Sequence, residues 1–251
     1  MQVYGNSFSD EDYRLSREYG LGLEITQYAI PAFLDDFENN HPQISRHIKG
    51  MSGAAMHGAY LDLFYTSKDP LIVNVAKKRF LKSMQAAAFH SIGSLVFHSV
   101  YRKYFDGNSK FALDDFVKKS IDFWQSFEEN IPNGIIIYLE NVEDDNPEVF
   151  AKMLEGINSP KIHCCLDIGH VFCNSPVPLA NWVDILGGFI GHVHLSDNNG
   201  TYDNHLPLGK GCVPLFDTIS SIQNKCGDIP FVLECNVKES MQWLKNAGFI
   251  T

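Results

Sequence analysis

Eight short apolar runs, separated by segments with helical periodicity, most restrict how this chain can fold. The runs are four to seven residues long, the usual length of a strand. The strongest are continuously apolar rather than alternating, which is typical of strands in a parallel sheet covered on both faces. The eight predicted strands lie at 2–5, 21–25, 54–57, 94–98, 135–140, 162–167, 189–195 and 229–234.

Each predicted strand is followed by a predicted helix, and the connections are short. Eight strand–helix units in 251 residues indicate a (β/α)8 TIM barrel, a single α/β domain that occupies residues 1–251. A doubly wound open sheet is the alternative, but it usually carries a glycine-rich phosphate loop after the first strand, where this chain has Gly5-Asn6-Ser7-Phe8. The predicted helices lie at 9–20, 31–47, 71–89, 111–129, 147–156, 178–186, 213–224 and 240–247.

The charge balance and the cysteines limit the classes of partner. Thirty acidic and 20 basic residues give a formal net charge of −10, which does not favour a broad nucleic-acid surface, although bound metal ions could supply local positive charge. Six cysteines without a CxxC pair are typical of reduced thiols in a cytoplasmic protein. The N-terminus lacks signal-peptide features, and no run approaches the roughly 20 apolar residues of a membrane span. We therefore expect a cytoplasmic protein without a membrane partner.

Six consecutive predicted strands end in a side chain that can bind a metal ion. Active sites of TIM barrels lie at the carboxyl ends of the strands, so these side chains are expected to converge there. Imidazole and carboxylate groups are the natural ligands of zinc and also suit manganese. The sequence therefore predicts a divalent metal site. The six residues are His57, His98, Glu140, Asp167, His194 and Glu234.

The stretch from Cys164 to Gly211 adds further ligand types beside two of these strand ends. His170 follows Asp167 by three residues, and Asp203 and His205 follow His194. His192 precedes His194 by two residues and so shares its face of the strand, which makes it a candidate to hydrogen-bond and orient a metal ligand.

In combination, the motifs around these residues resemble the xylose-isomerase-like barrels, which include endonuclease IV and many sugar and sugar-phosphate isomerases and epimerases. The resemblance extends over essentially the whole chain. The motifs are HGAYLDL at 57–63, VFHS at 96–99, LENV at 139–142, CLDIGH at 165–170, HVHLSD at 192–197, DNHLPLGKG at 203–211 and VLEC at 232–235.

The resemblance implies one shared metal site and up to two more. Zinc or manganese is the expected ion, and between one and three ions are expected. The primary ligands would be Glu140, Asp167, His194 and Glu234. A second ion would be held by His57 and His98 with Glu140 as a bridge, and a third by His170, Asp203 and His205.

The favoured hypothesis is a metal-dependent isomerase or epimerase that acts on a small sugar or sugar phosphate through an enediolate. Glu140 and Glu234 would remove and return the α-proton, and His170 would hydrogen-bond a substrate oxygen. Lys210 could meet a phosphate or carboxylate or could simply be solvated. The expected substrate contacts are Glu24, His57, His98, His205 and Lys210.

The first alternative is an endonuclease IV-type enzyme that hydrolyses DNA at abasic sites with a multi-zinc cluster. The complete ligand set favours it, and Tyr60 and Leu61 match a pair that probes DNA in that family. Against it, the loop from His194 to Asp203 is short and has no basic residue, and residues 32–42 are acidic where DNA phosphates would need Lys or Arg. The second alternative is a metal-dependent protein that binds a small ligand without turnover. The oligomeric state and the particular sugar stay open.

Overall fold

Eight parallel strands pair in chain order and close into a barrel, in which β8 returns to β1. The computed structural model describes residues 1–251. The predicted (β/α)8 barrel is therefore confirmed, and each predicted strand is found with its ends within two residues of the predicted ones. The strands are β1 Gln2–Asn6, β2 Gly22–Ile25, β3 Ala54–His57, β4 Ser94–His98, β5 Ile136–Glu140, β6 Ile162–Asp167, β7 Ile190–Leu195 and β8 Pro230–Leu233.

Eleven helices surround the barrel, three more than the sequence predicted. The predicted helix at 31–47 is broken at Asp36, and short helices after β4 and β6 were not predicted. None of the helices combines the length and apolar character that crossing a bilayer would need. The helices are α1 Asp10–Glu18, α2 Pro31–Asp35, α3 Phe37–Ile48, α4 Pro70–Phe89, α5 Lys103–Asp106, α6 Lys110–Phe127, α7 Pro147–Ile157, α8 Ile168–Asn174, α9 Leu179–Leu186, α10 Leu215–Cys226 and α11 Val237–Asn246.

The hydrophobic core lies between the strands and the helices. Side chains alternate along each strand, so Val193 and Leu195 of β7 join this core while His192 and His194 face the barrel interior. Trp124 of α6 and Trp182 of α9 are fully buried in the same layer. The outward residues hold the fold together, and the inward residues remain available for chemistry.

Two tyrosines fill the amino-terminal end of the barrel, and three glycines make room for them. A Cβ atom added at Gly22 would lie 2.6 Å from the ring of Tyr4, and one at Gly53 would lie 2.1 Å from its hydroxyl. A Cβ at Gly191 would lie 2.6 Å from the ring of Tyr138. The glycines are needed here because the aromatic rings pack directly on the backbone. The polar side chains lie towards the opposite, carboxyl-terminal end of the barrel.

Candidate metal centre

Side chains from five strands, from the residue that follows β8, from helix α8 and from the loop after β7 converge at the carboxyl-terminal end of the barrel. They form three groups, and within each group one potential ligand atom per residue lies within 4.8 Å of the others. Glu140 belongs to two of the groups. The groups are Glu140, Asp167, His194 and Glu234; His57, His98 and Glu140; and His170, Asp203 and His205.

The four-residue group is buried and rich in negative charge. Nδ1 of His194 lies 3.1 Å from Oε1 of Glu140, 3.4 Å from Oε1 of Glu234 and 3.9 Å from Oδ2 of Asp167. The buried Asp167 Oδ2 atom has no hydrogen-bond partner. Three buried carboxylates around one imidazole nitrogen need a compensating cation, and this donor set suits a divalent ion such as zinc or manganese.

Protons compete with a cation for these groups. Burial, reinforced by neighbouring carboxylates, raises the pKa of Glu234 to about 7. Burial also raises the pKa of Asp167. The pKa of Glu140 is instead lowered, because the imidazoles of His194 and His98 outweigh its burial. Metal binding near neutral pH would therefore displace a proton from Glu234.

Glu140 turns its two oxygen atoms to two different groups. Oε1 faces His194, whereas Oε2 lies 3.1 Å from Nε2 of His57 and 3.4 Å from Nε2 of His98. Nδ1–H of His57 donates to the carbonyl oxygen of Gly58 at 3.0 Å, so Nε2 is the nitrogen turned to the carboxylate. This arrangement allows Glu140 to bridge two ions.

The third group lies next to the first and is partly exposed. Oδ2 of Asp203 lies 3.2 Å from Nε2 of His170 and 2.8 Å from Nε2 of His205. Nδ1–H of His170 donates to the carbonyl oxygen of Asn141 at 2.9 Å, and that of His205 donates to the carbonyl oxygen of Glu234 at 2.6 Å. The hydrogen bond to Asp203 raises the pKa of His205 to about 9. Each imidazole is thus held by a backbone carbonyl and presents Nε2 to the group.

A cavity of about 370 Å3 opens above the three groups. Its apolar wall includes Phe8, Ile30 and Tyr60, and the ring of Tyr60 stacks on His98 with centroids 4.3 Å apart. The carboxylates of Glu140 and Glu234 both line it, and neither lysine nor arginine does. A cavity of this size accepts a small polar molecule.

Two of the expected substrate contacts lie away from this cavity. Glu24 has no exposed surface, because its carboxylate points into the barrel interior between His192 and His194. Lys210 is exposed, and its ammonium lies 3.7 Å from a carboxylate oxygen of Glu239. Neither Glu24 nor Lys210 therefore lies where it could contact a substrate in this cavity, as the sequence had predicted. The expected contacts that do line the cavity are His57, His98 and His205.

Asn141 and Asp197 organise the site, although the sequence analysis gave neither a role. Asn141 exchanges two hydrogen bonds with the backbone of Asp167, at 2.9 and 3.0 Å. Asp197 accepts hydrogen bonds from the backbone N–H groups of Gly209, Gly211 and Val213. Asn141 therefore fixes the ligand Asp167, and Asp197 anchors the segment that follows His205. The sequence could have indicated both residues, because Asn141 follows Glu140 directly and Asp197 lies three residues after His194.

The sequence has partial similarity to two archaeal proteins. One is Uncharacterized protein MJ1614 of Methanocaldococcus jannaschii, with 34% identity over 104 residues, or 40% of this chain and 38% of that protein. The other is Uncharacterized protein MJ1311 of the same organism, with 29% identity over 96 residues, or 38% of this chain and 31% of that protein. The matched segment thus spans less than two fifths of either relative.

Solved structures share the fold over nearly the whole chain. The TTHB071 protein from Thermus thermophilus, soaked with ZnCl2, superposes with a TM-score of 0.76 at 22% identity, covering 99% of this chain and 98% of that one. A D-tagatose 3-epimerase-like protein gives a TM-score of 0.79 at 20% identity, covering 98% and 97%. The 3-keto-D-glucoside 4-epimerase YcjR from E. coli gives 0.74 at 16% identity, covering 98% and 97%.

A family model supplies the broader relationship. The model described as Xylose isomerase-like TIM barrel matches residues 25–247, a range that includes every residue of the three ligand groups. The closed eight-stranded barrel agrees with this match. The chain therefore belongs to the xylose isomerase-like TIM barrel family.

Proposed function

We propose that this protein is a divalent-metal-dependent isomerase or epimerase of a small, unphosphorylated sugar, acting through an enediolate. The observation that carries the proposal is the cavity, in which the carboxylates of Glu140 and Glu234 face a space suited to a monosaccharide. The absence of lysine and arginine from its wall favours a neutral substrate over a phosphorylated one. The epimerases among the structural neighbours support the same class of reaction.

The four-residue group would hold the ion through Glu140, Asp167, His194 and Glu234. When bound, a divalent ion supplies Lewis acidity that polarises a substrate carbonyl group. A carboxylate oxygen of Glu140 or Glu234 would take the proton from the carbon next to that carbonyl. The other residue would return a proton, to the former carbonyl carbon in an isomerisation or to the opposite face of the same carbon in an epimerisation.

The imidazoles at the cavity wall would orient the sugar. His57, His98, His170 and His205 all line the cavity, and sugar hydroxyl groups both donate and accept hydrogen bonds. Tyr60, stacked on His98, and Phe8 offer apolar faces for the carbon skeleton. Burial of the sugar in this cavity would keep bulk water away from the exchanging proton.

Phosphodiester hydrolysis is a second candidate, and one observation favours it. Three ligand groups lie side by side and two of them share Glu140, an arrangement that suits clustered metal ions acting on a phosphate. The cavity wall and the acidic segment 32–42 offer no lysine or arginine for a DNA backbone. The surroundings of the ligands therefore favour the sugar over the nucleic acid.

Solvent exchange at the substrate α-carbon tests the proposal. The protein, loaded with zinc or manganese, would be incubated in D2O with D-fructose, D-tagatose and D-allulose, and deuterium incorporation would be followed by NMR. We expect incorporation that Glu234→Gln abolishes. Cleavage of an abasic-site oligonucleotide, lost in Glu140→Gln and unaccompanied by exchange with any sugar, would establish the nuclease instead. Binding of a sugar without either reaction would indicate a non-catalytic protein.

A further inference from the structure

A buried cluster of Glu24, His192 and His194 lies inside the barrel on the side of the metal centre away from the cavity. All three side chains are fully buried. Oε2 of Glu24 accepts a hydrogen bond from Nε2–H of His192 at 2.8 Å, and Oε1 of Glu24 lies 3.2 Å from Nε2 of His194. A buried carboxylate is costly without partners, and Glu24 finds them in these two imidazoles.

His194 differs from three other imidazoles of the site in how it is held. His57, His170 and His205 donate Nδ1–H to backbone carbonyl oxygens and present Nε2 to the ligand groups. His194 presents Nδ1 to Glu140 and Glu234, so its Nε2 atom points into the barrel. Neither this nitrogen nor Oε1 of Glu24 has a hydrogen-bond partner, although the two buried atoms lie 3.2 Å apart, whereas Nδ1 of His194 is within hydrogen-bond distance of Oε1 of Glu140. Glu24 thus lies next to the nitrogen of His194 that faces away from the ligand groups, the side on which the other imidazoles meet a backbone carbonyl.

The contacts around Glu24 fix its position in the barrel interior. His192 packs against the ring of Tyr138, with centroids 5.3 Å apart. His192 therefore holds the Glu24 carboxylate through Oε2, and Oε1 faces Nε2 of His194.

We propose that Glu24 is a positioning residue, which holds His194 in the Nε2–H tautomer and so leaves Nδ1 free to bind a divalent ion. The carboxylate also places a negative charge behind the imidazole, which makes the ligand more basic. His192 acts one step further away by holding Glu24. The inference rests on the metal site of the proposed function but not on the sugar reaction, and it replaces the predicted substrate contact of Glu24.

Metal affinity and the tautomer of His194 test this role without an activity assay. Zinc affinity would be measured by competition with a chelator of known affinity for the wild type, Glu24→Gln and Glu24→Leu. We expect the dissociation constant to rise about tenfold in Glu24→Gln and up to about a hundredfold in Glu24→Leu, the range found when such partners of metal ligands are removed. Nitrogen-15 NMR of the zinc-loaded protein should show His194 protonated at Nε2 in the wild type.

The matched control is Asp144→Asn, which also changes a buried carboxylate, but one that accepts from the Ser99 hydroxyl and the backbone N–H of Val142 and belongs to none of the ligand groups. It should leave zinc affinity within about twofold of the wild type. In a His194→Ala background, Glu24→Gln should cause no further loss, because the two residues act as a unit.

An unchanged dissociation constant in folded Glu24→Gln, or an equal loss in Asp144→Asn, would overturn the inference. Circular dichroism establishes that each variant is folded, and the isosteric Glu24→Gln carries the test if Glu24→Leu does not fold. A wild-type protein that binds no zinc or manganese would refute the metal site and both proposals. Tight wild-type binding without sugar exchange would refute the proposed function alone.

Discussion

The packing of Tyr4 on two glycines makes the amino-terminal end of the barrel intolerant of even one added methyl group. In Gly22→Ala the new Cβ atom would lie 2.6–2.7 Å from three ring atoms of Tyr4, whereas ordinary contact begins near 3.4 Å. The ring would have to retreat by about 0.8 Å, and the backbone of Gly53 lies against its hydroxyl end. Overpacking of this kind costs about 1–3 kcal/mol. For a domain of this size, the melting temperature should fall by about 2–4 °C per kcal/mol.

The assay is urea unfolding followed by circular dichroism, with Gly188→Ala as the matched control. A Cβ atom at Gly188 meets nothing within 4 Å, so that variant should be neutral or about 0.4–1 kcal/mol more stable through its less flexible unfolded chain. In a Tyr4→Ala background, Gly22→Ala should lower the free energy of unfolding much less than it does in the wild type. Equal stability of Gly22→Ala and Gly188→Ala would refute the packing argument.

Three further predictions concern the metal centre. Zinc affinity should fall as the pH drops through about 7, since Glu234 then gains the proton that burial favours. An affinity that stays constant from pH 8 to 6, measured by competition with a chelator, would contradict this. Asp203→Asn should lower the pKa of His205 from about 9 towards 6.5, which an NMR titration of the metal-free protein would follow. Asp197→Asn should cost about 1–3 kcal/mol in urea unfolding, because the backbone N–H groups of Gly209 and Gly211 lose a charged acceptor.

The strands and their terminal ligands could be predicted because both follow from local sequence. An apolar run marks each strand, and His98, Glu140 and Asp167 end their strands as expected. Helix α8 was missed because it begins directly after Asp167, the last residue of β6, whose side chain caps the helix by accepting from the backbone N–H of His170. Its seven residues are too few to show a helical period.

The role of Glu24 could not be predicted because it depends on contacts between distant strands. Glu24 precedes the end of β2 by one residue, and its partner His192 is 168 positions away in the chain. Nothing in the local sequence indicates whether a strand carboxylate faces the cavity or the closed barrel interior. The pairing of Lys210 with Glu239 of α11 is likewise a tertiary contact.

The two-sided placement of Glu140 has a consequence for how the protein would respond to the supply of metal. Ions at the two groups that share this carboxylate would not bind independently, and each would alter the affinity of the other by the same factor. The first ion would also hold the carboxylate in place for the second. Zinc uptake would then depart from a simple hyperbola, and the number of bound ions would depend on the free zinc concentration. Because His57 and His98 line the cavity proposed for the sugar, a second ion would occupy space that a substrate would need. Excess zinc would then act as an inhibitor that competes with the sugar.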